Sequence, residues 1–225
     1  MLRRSVNLDS GVTAFPSYTS AESFADRVVH VVGVAGSIIG ALALVGAAVM
    51  AGTPLMIFGT VLYGVGLVAM LGLSALYNMA PRSPRKALYQ RLDHAAIFIM
   101  IASSYTPFSL HVLSGGKAVA FLGFVWMVAL LGAAQKIWAP HRFVRASTPI
   151  YLLLGWSGLI IVKPIIDALP VPAFVLLVAG GLLYSLGTLF HHWDRLPYQN
   201  AIWHGFVVTA AACHYAAIFS GIVLA

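Results

Sequence analysis

Charge is scarce in this sequence. Of its 225 residues only 8% are Asp, Glu, Lys or Arg, and 60% are hydrophobic. An average soluble domain carries about 25% charged residues. A water-soluble fold of this size has no means of hiding so much apolar surface, so the composition excludes soluble classes. Cysteine is scarcer still. Cys213 is the single one, which excludes an intrachain disulfide, and it sits in an apolar run as a small core residue. No long polar linker divides the chain, so one bundle is expected rather than two domains. No internal repeat and no pair of interrupted apolar segments points to a transporter. No apolar core follows Arg3 and Arg4, so these residues are not expected to begin a cleaved signal peptide.

What is present is a series of apolar runs near or above the roughly 18 residues needed to span a bilayer. Turn and breaker residues separate them: Thr53-Pro54, Pro81 and Pro84, Ser114-Gly115-Gly116, Pro140, Pro170 and Pro172. Seven spans are expected, at about 28–51, 55–78, 93–111, 117–137, 148–166, 173–191 and 200–224. Pro107 and Pro164 are expected to kink the third and fifth. The fold class is therefore all-α, a polytopic seven-transmembrane helix bundle. Residues 1–24 form an N-terminal cytoplasmic segment, a surface helix or a tail, and 25–225 form the seven-span domain. Gly33, Gly36 and Gly40 in the first span allow close helix approach.

Seven spans put the termini on opposite sides. The N-terminal side then holds Arg3, Arg4, Arg27, Arg82, Arg85, Lys86, Arg91, Lys136, Arg142, Arg145 and Arg195, and the other side only Lys117 and Lys163. The positive-inside rule makes the first side cytoplasmic. The net charge of +7 thus sits in short loops at a membrane. Membrane lipids, with anionic headgroups at the cytoplasmic face, are the expected partners, and nucleic acid is not.

The stretch 71–107 organises the chain. An apolar helix ends in it, a basic loop without acids follows, and a second apolar helix is expected to open at Asp93. Ser74 and Asn78 end the second span, four apart and so on one helix face. Asn200 and His204 open the seventh with the same spacing. A charge at depth costs roughly 2.5–3.5 kcal/mol at the bilayer centre, so such residues usually face the bundle interior and find partners. The chemistry can be plain. Asp93 can cap a helix at headgroup level, and Ser74 and Asn78 can bond between helices. Equally, the three helix mouths can share one site.

The segments SALYN (Ser74 to Asn78), RLDHAAIFIMIASSYTPF (Arg91 to Phe108) and NAIWHGFVVTAAACHYAAI (Asn200 to Ile218) resemble the hemolysin III family. That family lies within the wider group of progestin and adipoQ receptors. The resemblance implies an integral protein of the cell (inner or plasma) membrane with a zinc ion held by three histidines near a serine and an aspartate. Carried over, the serine is Ser74, the aspartate Asp93, and the histidine positions are Asn78, Asn200 and His204. Two are asparagine, whose amide oxygen is a weak zinc ligand. His204 and Asp93 are the metal candidates that remain, with His191 as a substitute. His94 points away from Asp93, and His214 lies about 15 Å deeper than His204. His30 reads as a packed or interfacial histidine, and His111 and His141 as loop residues.

Two functions follow. In one, Asn78, Asp93, Asn200 and His204 form a non-catalytic polar pocket that opens to the cytoplasm and binds a lipid headgroup or regulates the membrane. In the other, the resemblance implies a ceramidase-like, zinc-dependent hydrolase of a lipid amide or ester. Asp93 is then the base, Ser74 the oxyanion support, and other residues rebuild the metal site. The enzyme question stays open at this level.

Overall fold

The computed structural model describes residues 18–142 and 146–225. The expected N-terminal segment therefore lies mostly outside the described residues, as does Arg145. Helices α1 (Ser20–Ala51), α2 (Pro54–Met79), α3 (Lys86–Val112) and α4 (Gly115–Trp138) follow one another through short turns. Then come α5 (Ser147–Trp156), a 3-10 turn (Ser157–Ile161), α6 (Val162–Ala168), α7 (Val171–His191) and α8 (Gln199–Ile218), which ends in a π turn. With α5 and α6 taken together, seven helical segments are long and apolar enough to cross a membrane, and the described residues contain no strand. The protein is an all-α seven-span membrane bundle. Val31, Ile39, Leu42, Val65, Leu131 and Val171 are exposed around it, as lipid-facing residues are, and Trp138 and Trp193 are exposed at the basic end.

Local chemistry explains the helix limits, and two differ from expectation. Helix α1 begins at Ser20 and runs straight into the span. Its start is a capping box: the Glu22 N–H donates to Thr19 Oγ1 at 3.2 Å, and the Thr19 N–H donates to Glu22 Oε2 at 2.9 Å. Residues 20–24 are thus the first turns of a helix that continues unbroken to Ala51. Helix α2 stops before Pro81, and Lys86 Nζ donates to Ala80 O at 2.8 Å just past its end. Helix α3 begins at Lys86, because Lys-Ala-Leu-Tyr-Gln-Arg-Leu is a run of good helix formers for the most part. Asp93 is therefore about two turns inside α3 and does not cap it.

The two prolines within spans sit differently, Pro107 inside a continuous helix and Pro164 just after a break. Helix α3 continues through Pro107, against which Gly59 of α2 packs. A Cβ at Gly59 would lie 3.1 Å from Pro107 Cα. The fifth span breaks one turn before Pro164, at Ser157–Ile161. Pro164 has no N–H for the carbonyl of Ile160 and its ring crowds that carbonyl, so the preceding turn tightens. Tyr105 of α3 repairs the break. Its hydroxyl donates to Gly155 O and accepts from the Gly158 N–H at 2.7 Å. Backbone groups freed inside a bilayer need such partners.

Tyr105→Phe removes both bonds. A backbone group left unpaired away from water costs about 1–3 kcal/mol, so with two such groups the variant is expected to lose about 2–6 kcal/mol. A clear drop in the thermal unfolding midpoint in detergent checks this; an unchanged midpoint contradicts it.

Candidate functional site

Three helix mouths meet at the basic end of the bundle, and the third is α1. Asp26 and His30 stand four apart on it, as Ser74 and Asn78 do on α2 and Asn200 and His204 on α8. Each pair shares one helix face. Helix α1 lies against α8 because Gly33 lets it: a Cβ there would lie 2.9 Å from Val208 Cγ2. Gly40 sits close to Tyr215 in the same way, whereas Gly36 faces open space. Glu22 fixes the axial register, since the Tyr198 N–H donates to Glu22 Oε1 at 3.1 Å. Tyr198 precedes α8 with φ 56°, a left-handed conformation that favours glycine, so this junction is held against a local cost.

The centre of the cluster is the Asp26 carboxylate, 8% exposed. His204 Nδ1 lies 2.7 Å from Asp26 Oδ1, and the Asn200 amide donates to Asp26 Oδ2 at 2.9 Å. A carboxylate only accepts, so His204 carries its proton on Nδ1. Nε2 is then an acceptor, and Ser74 Oγ lies 3.5 Å from it. His30 is 3% exposed, with its Nε2 3.5 Å from Asp26 Oδ2 and its ring centroid 4.3 Å from that of His204. Among the described residues no hydrogen bond satisfies His30 Nε2. Asn200 also donates to Asn78 Oδ1 at 3.1 Å, and Asn78 donates back to Ser74 O at 2.9 Å. Asp93, half-buried, lies beside Ser74 and within the field of His30.

Asp26, His30 and His204 each present a ligand atom, all within 4.8 Å of one another, which is a group able to hold a metal ion. Of the residues read from sequence, Ser74, Asn78, Asn200 and His204 come together here, with Asp93 on the Ser74 side. His191 is exposed, its ring against Trp203 and His192 at 5.1 and 5.0 Å, and it is not a member of the three-residue group. Sequence alone does not single out Asp26, and it gives His30 a packed or interfacial place. The signal that could have found them is the i, i+4 spacing itself, which recurs at all three mouths. Asp26 was obscured because Asp26-Arg27 at the start of a span reads as a solvated interfacial pair.

A seven-span bundle with a buried Asp–His–His cluster at its basic end defines the class. Residues 21–215 match the model of the family described as Haemolysin-III related, and the chain belongs to that family. It is 36% identical over 198 residues to the Hemolysin-3 homolog of Bacillus subtilis (strain 168), covering 88% of this chain and 93% of that protein. It is 36% identical over 191 residues to Hemolysin-3 of Bacillus cereus, covering 85% and 87%. The human monocyte to macrophage differentiation factor matches at 30% identity over 166 residues, covering 70% of this chain and 68% of that protein.

The Asp26–His204 bond makes a double-mutant cycle informative. His204→Ala leaves a buried carboxylate without its shortest partner and is expected to cost about 3–5 kcal/mol. Asp26→Asn, which keeps a neutral acceptor, is expected to cost about 1–3 kcal/mol. The double variant is expected to be less destabilised than the sum, by about 0.5–3 kcal/mol. Thermal unfolding of the purified variants measures this, and strict additivity contradicts the pairing.

Proposed function

We propose that this protein is a metal-dependent hydrolase of a lipid amide or ester, with zinc held by His30, His204 and Asp26. One observation carries the reading: two imidazoles and a carboxylate converge within 4.8 Å, and all three are buried. Two histidines and a carboxylate are a donor set that zinc accepts in hydrolytic sites, leaving a fourth position for water or substrate. His30 Nε2, buried and without a hydrogen bond, is the kind of atom that an ion would satisfy. In the ligand set that the family resemblance implied, Asn78 and Asn200 replace two histidines. Helix α1 supplies Asp26 and His30 to the remaining one, so on this reading the donor set has shifted by one helix. The basic end faces the cytoplasm, as the charge distribution favours.

Zinc, when bound, supplies the Lewis acidity that makes a water nucleophilic near neutral pH. The chain does the rest. Asp93 accepts a proton from the attacking water, and Ser74 Oγ–H donates to the oxyanion that develops on the carbonyl. Asn200 holds Asp26 in place through its amide. The depth supports a lipid substrate. Asp26 is six residues past the start of α1, about 9 Å along the helix. The headgroup layer of a bilayer is several ångströms thick on each side. The site therefore lies near the level of the amide and ester linkages of membrane lipids.

A second reading has its own observation. Asn200 donates to both Asp26 and Asn78, and Asn78 to Ser74, so the amides close the network without help. On that reading the pocket is non-catalytic and binds a lipid headgroup. Elemental analysis with a lipid-hydrolysis assay separates the two. About one zinc per chain is expected, lost in His204→Ala and in His30→Ala. Asp93→Asn is expected to keep the metal and lose at least tenfold in turnover. Metal-free wild type after mild purification and zinc addition, or hydrolysis indifferent to Asp93→Asn, would overturn the hydrolase.

A further inference from the structure

Lys136 lies on the last turn of α4, away from the α1–α2–α8 cluster, and is only 4% exposed. A lysine at a helix end ordinarily extends its stem and puts the ammonium in water. This one turns inward, where its Nζ donates to Ser147 Oγ at the start of α5. Among the described residues it makes no ion pair: Asp26 pairs with His30 and His204, and Asp167 with Lys163. A hydroxyl does not neutralise an ammonium, and a buried charge without an opposite charge is costly. The adjacent Gln135 amide is committed, donating to Ala139 O and Arg142 O to hold the α4–α5 turn. Among the described residues, the Lys136 ammonium therefore has no anion paired with it.

Beside it lies a cleft of about 220 Å³ between α3, α4 and α5. Its walls are Phe98, Val128, Leu131, Gly132 and Ile150, with Gln135 and Ser147 at the polar end. Leu131 is 66% exposed at its edge, on the lipid-facing surface. Gly132 is required for the wall, since a Cβ there would lie 2.4 Å from the Phe98 ring. Ser147 belongs to both features: it lines the cleft and receives the Lys136 bond. The shape is thus apolar along its length, with the Lys136 ammonium directly behind Ser147 at its polar end.

We propose that this cleft holds one acyl chain of an anionic membrane phospholipid, with the lipid phosphate paired to Lys136 and hydrogen-bonded by Ser147. Arg142, exposed in the loop above, adds a second positive charge near the headgroup. The geometry separates the contributions: the cation selects charge, and the apolar walls hold the chain. The site is independent of the metal reading, because it shares no residue with it.

Native mass spectrometry of the full chain tests this, with phosphatidylglycerol and phosphatidylcholine added to delipidated protein. Wild type is expected to retain one phosphatidylglycerol with at least tenfold preference over phosphatidylcholine. Lys136→Met is expected to lose that preference and Lys136→Arg to keep most of it. Ile150→Trp, which fills the cleft, is expected to weaken both lipids. Unfolding midpoints show whether each variant is folded. If Lys136→Met does not fold, Lys136→Arg and Ile150→Trp decide the matter alone. Unchanged phosphatidylglycerol preference in folded Lys136→Met, or unchanged binding in Ile150→Trp, overturns the proposal. So does full competition by millimolar inorganic phosphate, which would make the ligand a free anion rather than a lipid.

Discussion

The hydrogen bond from His204 Nδ1 to Asp26 Oδ1 joins residues 178 positions apart and ties the first span to the last. A carboxylate taken out of water must recover its lost hydration from fixed donors. Asp26 recovers it from His204 and Asn200 on α8, with His30 close by on its own helix. That demand fixes how α1 and α8 meet. It needs a glycine at position 33 to allow the approach, and Glu22 bonded to the Tyr198 N–H to set the register. The strained Tyr198 backbone is one cost of bringing the helix mouth to the correct depth. Ser74 then joins α2 to the cluster through His204, and Asp93 on α3 sits on its far side.

The bilayer imposes a second demand, and it shapes the opposite half of the bundle. Backbone groups that a proline or a tightened turn leaves unpaired cannot turn to water. The break between α5 and α6 persists because one tyrosine on α3 serves both an orphaned carbonyl and an orphaned amide. Both demands have the same physical form. A polar group inside the membrane draws a partner from a distant helix, and these bonds join helices that are not consecutive in sequence. The α4–α5 end obeys it too, except that among the described residues Lys136 finds only a hydroxyl there.

The seven spans were legible because run length and hydropathy are local properties, and a bilayer leaves helices as the only way to satisfy such runs. Ser74, Asn78, Asn200 and His204 were legible as a group because paired polar residues at i, i+4 stand out in apolar helices. The depth of Asp93 was misjudged, since Lys86–Leu92 is polar enough to read as loop and yet helical by propensity. Asp26 was invisible for a related reason. A carboxylate next to an arginine at a helix start looks solvated until the partner helix is known. Pro164 points to a kink at the end of the fifth span, but the break lies a turn earlier, where Tyr105, at least 50 residues away in sequence, bonds its backbone groups.

The central claim is that α1 supplies half of the site, and X-ray absorption at the zinc edge of the zinc-loaded protein tests it most directly. Two imidazole ligands with oxygen completing the shell are expected, falling to one imidazole in His30→Ala with the metal still partly bound. A shell with no imidazole, or one identical in wild type and His30→Ala, would contradict it.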